Sequence, residues 1–314
     1  MRANTDWFQQ AGWGVFTHYL APADLPAEVW QAQVDAFDVE ALTEQLVAAG
    51  APYFFLTIGQ NSGHYCAPNA AYDEIVGRVP SRLSRRDLVA DLADALAARG
   101  IRLLVYLPSG APSMDDVAMA RLDWRWGFAK PWPSWGGAET GERLAAFQQR
   151  WEAVIRGWSL RWGRKVWGWW FDGCYFADAM YRHPDPPNFA SFAAAAKSGN
   201  PDALVAFNPG VKVPVICHSE YEDYTAGEIS DAFPTCPGRW LDGAQYHVLS
   251  YLGENWCRGL PRFPDAFVVG TTRHVRERGG VITWDVPITP EGRIPEPFIE
   301  QLAKATGPSA LKDS

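Results

Sequence analysis

Apolar runs alternate with amphipathic stretches along most of this chain. WGVFTH (13–18) has the length and β-branched or aromatic content of a buried strand, and PYFFLTIG (52–59) and IRLLVYLP (101–108) repeat that pattern. Between them, DVEALTEQLVAAG (38–50) places apolar residues three and four apart and ends on Gly50. SRRDLVADLADALAARG (84–100) does the same, with Ser84 in position to cap it. Further helices are predicted over 141–163, 188–199, 265–280 and 296–306, and further strands over 165–172, 203–210 and 281–287. The pattern blurs over 220–230 and 244–253, where a sixth and a seventh strand are expected. Strand followed by helix, roughly eight times, is the signature of a (β/α)8 TIM-like barrel in the α/β class. An open doubly wound sheet would ordinarily show GxGxxG after an early strand, and none is present. The chain is therefore read as a single domain, residues 1–314.

Composition narrows the picture further. Hydrophobic residues make up 47% of the 314, enough for a large core, yet no run reaches a membrane span. The formal net charge of −8 disfavours a phosphate-binding surface, so neither nucleic acid nor membrane is an expected partner. Five widely spaced cysteines without CxxC fit free thiols in a reducing compartment, and no secretory signal precedes Trp13, so a cytoplasmic location is expected. The six histidines include no HxH or HExxH, so neither a metal nor another cofactor is called for. Sixteen tryptophans exceed what most cores need, and four of them (Trp124, Trp126, Trp132, Trp135) sit in one long loop, 109–139. Flat rings with a polar edge suit sugar surfaces, and subunit interfaces equally; the oligomeric state stays open.

The strand KVWGWWFD ends on Asp172–Gly173. DG is a common turn pair. A carboxylate directly after a buried run in a barrel also stands where barrel enzymes keep their catalytic groups, at the carboxyl ends of strands. His18, Gln60, Asn61, Asn208, Glu228 and Asp285 fall at equivalent places. An acid-lined mouth with tryptophans suggests glycoside chemistry, in which two carboxyl groups flank the scissile bond and need different environments.

Three blocks carry a resemblance. WFQQAGWGVFTHYL at the start, WWFDGCY around Asp172, and GGVITWDVPITPEGRIP near the end resemble glycoside hydrolase family 29, the α-L-fucosidases. The resemblance spans most of the chain, and the WFDG block is its specific part. It implies a carbohydrate substrate, a terminal sugar, and a retaining mechanism with Asp172 as nucleophile. His18 would bind a sugar hydroxyl and Trp170 would line the subsite. The family's acid/base is a Glu some fifty residues downstream; Glu228 is chosen, with Glu254 and Asp285 in reserve and Trp284 counted among the sugar-binding residues. The pattern departs from the family in three ways. The His-His-Asp-Gly block is replaced by Gln60, Asn61 and Ser62, with His64 beyond. The fifth-strand block FNPGV lacks the usual Arg. The C-terminal β-sandwich often found in the family is absent from these 314 residues. These departures leave a non-catalytic sugar-binding barrel, or a glycosidase for another sugar such as galactose, as the alternatives.

Overall fold

A computed structural model describes residues 2–125 and 143–305. Nine strands occur among them. They are β1 (Trp13–Thr17), β2 (Tyr53–Thr57), β3 (Arg102–Pro108), β4 (Val166–Asp172), β5 (Leu204–Phe207), β6 (Trp240–Leu241), β7 (Ala244–Gln245), β8 (His247–Tyr251) and β9 (Val281–Val286). Seven form one sheet in the order β5-β4-β3-β2-β1-β9-β8, and every neighbouring pair is parallel. First and last strands are neighbours, as a closed barrel requires: Phe16 lies opposite Asp285 on one side and Phe55 on the other. β6 and β7 make a separate two-stranded hairpin.

The expected sixth strand is an irregular stave, residues 223–229, between β5 and β8. It bonds to the β7–β8 side through Thr225 N–H to Gln245 O (3.0 Å), Leu249 N–H to Gly227 O (2.8 Å) and Ile229 N–H to Leu249 O (3.1 Å). Towards β5 the ladder shrinks to Asp223 N–H to Val205 O (2.8 Å). Acidic side chains replace the remainder: Asp223 accepts from Val205 N–H at 2.8 Å and Glu222 from Phe207 N–H at 3.3 Å. The fold is therefore a (β/α)8 barrel with one stave tied partly by side chains.

Strand periodicity sorts the side chains. Phe16, Phe55, Leu104, Tyr106, Trp170, Ala206, Ala226, Leu249 and Val281 fill the barrel interior, whereas Val15, Trp169, Phe171, Ile282 and Trp284 join the larger cluster under the helices. The helix over 39–49 is capped by Asp38, which accepts from Ala41 N–H, and stops at Gly50 in a left-handed conformation. The next expected helix begins at Leu88, and its cap is Asp87; Ser84 instead donates to Arg86 O. Short helices over 27–35, 70–76 and 116–122 have no counterpart in the sequence reading. The last of these, with Trp124 packed 4.5 Å from Phe147, occupies part of the long loop; Trp126, Trp132 and Trp135 lie outside the described residues.

A helix over Asp6–Ala11 plugs the amino ends of the strands. Phe8 stacks among Tyr53, Tyr224 and His247, each an early residue of its stave, at 5.0, 5.0 and 5.5 Å. The Arg102 guanidinium, at the start of β3, sits between Trp7 (4.5 Å) and Trp167 (4.2 Å). Such cation–π contacts stabilise by about 1 kcal/mol each. The five cysteines are free thiols. Among the described residues no helix is long and apolar enough to cross a membrane.

Candidate active site

At the opposite end, five staves continue their inward series by one more position, and there each presents a hydrogen-bonding or ionisable side chain. Trp170 is followed by Asp172, Ala206 by Asn208, Ala226 by Glu228, Phe16 by His18 and Thr283 by Asp285. Consecutive inward residues on parallel strands therefore deliver these five groups to one mouth.

Asp172 is held by two donors. Tyr106 O–H donates to its Oδ2 at 2.7 Å and Asn208 Nδ2–H to its Oδ1 at 2.9 Å. Gln60 Nε2–H donates in turn to the Tyr106 hydroxyl at 2.5 Å. The Tyr106 ring stacks on Trp170 (5.4 Å between centroids, 20° between planes), and Trp170 is anchored by its indole N–H to Ala226 O at 3.0 Å. Trp170 is buried and forms the floor beneath the carboxylates.

The same Asn208 nitrogen also donates to Glu228 Oε2 at 2.6 Å. Two bonds of 2.9 and 2.6 Å from one nitrogen place the two acceptor oxygens no more than 5.5 Å apart, the sum of their lengths. The amide is fully buried and its own oxygen accepts from Gly210 N–H at 3.1 Å, so its orientation is fixed. Burial pushes the Glu228 carboxyl up to about 7, and the charge of Asp172 adds to the rise; the Asn208 bond and His18 work against it. Glu228 thus keeps a share of its proton near neutral pH, close beside Asp172.

His18 Nδ1 lies 2.7 Å from Asp285 Oδ1, and Asp285 Oδ2 accepts from Cys257 N–H at 2.7 Å. Both oxygens of the fully buried Asp285 are therefore spent on orienting His18 and the loop after β8. That loop carries Trp256, half-buried, 5.9 Å from the His18 ring and 4.7 Å from Tyr251. Glu254 lies exposed in the same loop, its side chain over Gly259. Tyr175, 37% exposed, stands on the rim beside Gly210, and the charges of Asp172 and Glu228 reinforce burial in raising its hydroxyl.

The structure brings together Asp172, Glu228, Asn208, Gln60, Trp170, His18 and Asp285. Asn61 starts the neighbouring turn, its carbonyl accepting from Met114 N–H at 2.8 Å. Two expectations need correction. Trp284 is fully buried on the helix side of β9, donating to Thr272 Oγ1 at 2.9 Å, because it differs by one position from the inward Asp285. His64 is also buried away from the mouth, its ring 5.9 Å from Trp30, because the chain doubles back after β2: Cys66 N–H bonds to Ile58 O and Ser84 N–H to Tyr65 O. Burial, with Arg82 nearby, pushes its imidazole down to about 4, so it stays neutral. Tyr106, Tyr175 and Trp256 escaped the sequence reading. Tyr106 had a signal, since it shares its strand face with Leu104 and puts a hydroxyl near the carboxyl end of an apolar run. Among the described residues no group of three His, Cys, Asp or Glu side chains could hold a metal ion.

With this geometry in hand, solved structures of similar fold give a frame. An endo-fucoidan hydrolase of glycoside hydrolase family 107, P5AFcnA, superposes with a TM-score of 0.69 at 17% identity over 95% of this chain and 92% of its own. A second, MfFcnA4, gives 0.70 at 17% identity, over 96% of this chain but only 53% of the other; this chain spans about half its length. The α-L-fucosidase AlfC from Lactobacillus casei, in complex with α-L-fucose product, gives 0.66 at 15% identity over 96% and 97%. No protein-family model and no curated protein matches the chain. At these identities the likeness shows a shared barrel fold, and it does not single out family 29.

Proposed function

We propose that this chain is a retaining glycoside hydrolase acting on a terminal fucose-type sugar. The observation that carries the reading is the Asn208 amide shared by Asp172 and Glu228, which limits their bonded oxygens to 5.5 Å. Retaining enzymes hold their carboxyl groups about 5–5.5 Å apart, whereas inverting enzymes leave about 6.5–9.5 Å for a water. The neighbours in fold are titled as a fucosidase and as endo-fucoidan hydrolases. That supports a glycosidase, and the fucose-type sugar extends the same likeness to substrate.

In this reading Asp172 attacks the anomeric carbon while Glu228 gives its proton to the departing oxygen. The product of that step is a glycosyl ester on Asp172. Glu228, now ionised, takes a proton from water as the water attacks the ester, and the sugar leaves with its original anomeric configuration. Tyr106 and Asn208 keep the nucleophile's oxygens in place. His18, oriented by Asp285, offers Nε2 to a sugar hydroxyl, and Trp256 gives an apolar wall.

The test is hydrolysis of 4-nitrophenyl α-L-fucoside, followed by proton NMR of the first sugar released. The α anomer is expected from the wild type, with Asp172→Asn reducing kcat on the order of a thousandfold or more while the fold is kept. A first-formed β anomer would overturn retention. An active Asp172→Asn protein would overturn the nucleophile, and a wild type inert on aryl glycosides would leave a sugar-binding barrel instead.

A further inference from the structure

Two residues past Glu228 the chain makes a strained turn. Ser230 sits in the left-handed region at φ +47°. A side chain is disfavoured there and persists only where its surroundings hold it. The carbonyl oxygen of Ser230 is the part that is held: Ser250 O–H donates to it at 2.7 Å and Arg262 Nη2–H at 3.1 Å. The same guanidinium donates to Tyr251 O, at the end of β8, from Nε at 3.1 Å and from Nη2 at 3.0 Å. Its Nη1 pairs with the Asp231 carboxylate, which is 75% exposed. The guanidinium also lies 3.7 Å from the Tyr251 ring centre and 4.3 Å from that of Phe263. Arg262 therefore bridges the end of the sixth stave to the end of β8.

We infer that Arg262 is a positioning residue for Glu228: its fork holds the Ser230 turn, and that turn fixes where the carboxyl stands relative to Asp172. The inference rests on the proposed role of Glu228 as the acid. The stave that carries Glu228 needs such a brace. Among the described residues it makes a single backbone bond to β5, at Asp223, well before Glu228. On its other side Ile229 N–H bonds to Leu249 O at 3.1 Å, and the held carbonyl of Ser230 is the next anchor along the chain. The ion pair with Asp231 adds little, because pairs this exposed contribute little. What Arg262 supplies is geometry: two carbonyls from two staves on one planar group.

The experiment measures kcat/KM on phenyl and 2-chloro-4-nitrophenyl α-L-fucosides. Phenol departs poorly and needs the acid's proton, whereas the chloronitrophenolate departs with little help. Glu228→Ala is the reference, and it should lose about a hundredfold more on the phenyl substrate than on the other. Arg262→Ala should show the same selective loss at about tenfold, below the roughly hundredfold that a misplacement of about 1 Å can cost. Ser250→Ala removes the other donor to Ser230 O with little change of shape. It should give a smaller loss of the same kind, and it carries the test if Arg262→Ala does not fold. Adding Ser230→Gly to Arg262→Ala should recover part of the phenyl activity, because glycine enters the left-handed region without steric cost. An arginine that only stabilised the fold, or only steadied Trp256 against Tyr251, would lower both substrates alike and gain nothing from that glycine. That result would overturn the inference and leave the glycosidase reading standing. A Glu228→Ala protein without the selective loss would overturn the acid assignment beneath it, and a wild type inert on both fucosides would overturn both readings.

Discussion

The pairing of Asp172 with Glu228 makes a quantitative prediction about protons. Glu228 is held up to about 7 by burial first and by the charge of Asp172 second. Removing that charge by Asp172→Asn must favour the ionised form of Glu228, so its titration midpoint must fall. The bonded oxygens are at most 5.5 Å apart. At an effective dielectric constant of about 20, one unit charge at that distance contributes about 3 kcal/mol, equivalent to about 2 pH units. Spreading of the charge over both carboxylate oxygens and the partial exposure of the mouth reduce this, so a fall of about 1–2 pH units is expected. Burial should still keep the midpoint above that of a free glutamate. The assay is a carbon-13 NMR titration with labelled glutamate side chains, Glu228 being assigned by its loss in Glu228→Gln. The kinetic counterpart is the wild-type profile: kcat/KM should fall as pH rises through about 7, because the proposed acid must carry its proton to protonate the departing oxygen. A midpoint that stays put or rises in Asp172→Asn would refute the picture of two electrostatically linked carboxyl groups.

Other consequences are simpler to test. Trp256→Ala should raise KM with a smaller effect on kcat, since the ring contributes a wall and not a proton; steady-state kinetics on an aryl fucoside decide it. Trp284→Phe should lower thermal stability by about 1–2 kcal/mol, through the lost bond to Thr272 and the space left behind, with kcat/KM nearly unchanged. Glu222 is fully buried and pushed up to about 8, chiefly by burial. Its unfolded counterpart releases its proton near 4.5, so the folded state binds more protons between these values and stability falls as pH rises from about 4.5 to about 8. Glu222→Gln should flatten that slope, read as the melting temperature across the same range; an unchanged slope would place the pH dependence elsewhere.

The sequence made most of the barrel legible because parallel strands buried on both faces read as continuous apolar runs, and six of the eight staves follow that rule; β8, with His247 and Ser250, does not. The sixth blurred for a physical reason: Asp223 and Glu222 supply as side chains what the backbone ladder omits, so the segment carries acids where a strand would carry valines. Asp172, Asn208 and Glu228 were visible as polar residues at strand ends. Their shared hydrogen bond was not, because it depends on the register of three different staves. Trp284 shows the opposite limit. Its neighbour Asp285 reaches the mouth, and one step along a strand reverses the direction of the side chain. His64 was misplaced because a loop that folds back over the helices looks the same in sequence as one that stays at the rim. Tyr106 was hidden in plain sight inside an apolar run.

The seal at the amino ends, with Phe8 wedged among three staves and Arg102 clasped by two indoles, makes the barrel a blind well. A polymer cannot thread it. If the chain cleaves glycans as proposed, a glycan must dip one tip into the opening or lie across the lip, and both fragments must depart by the way the intact chain arrived. Under that proposal, traffic through this opening, rather than bond breaking, sets the pace of each cycle.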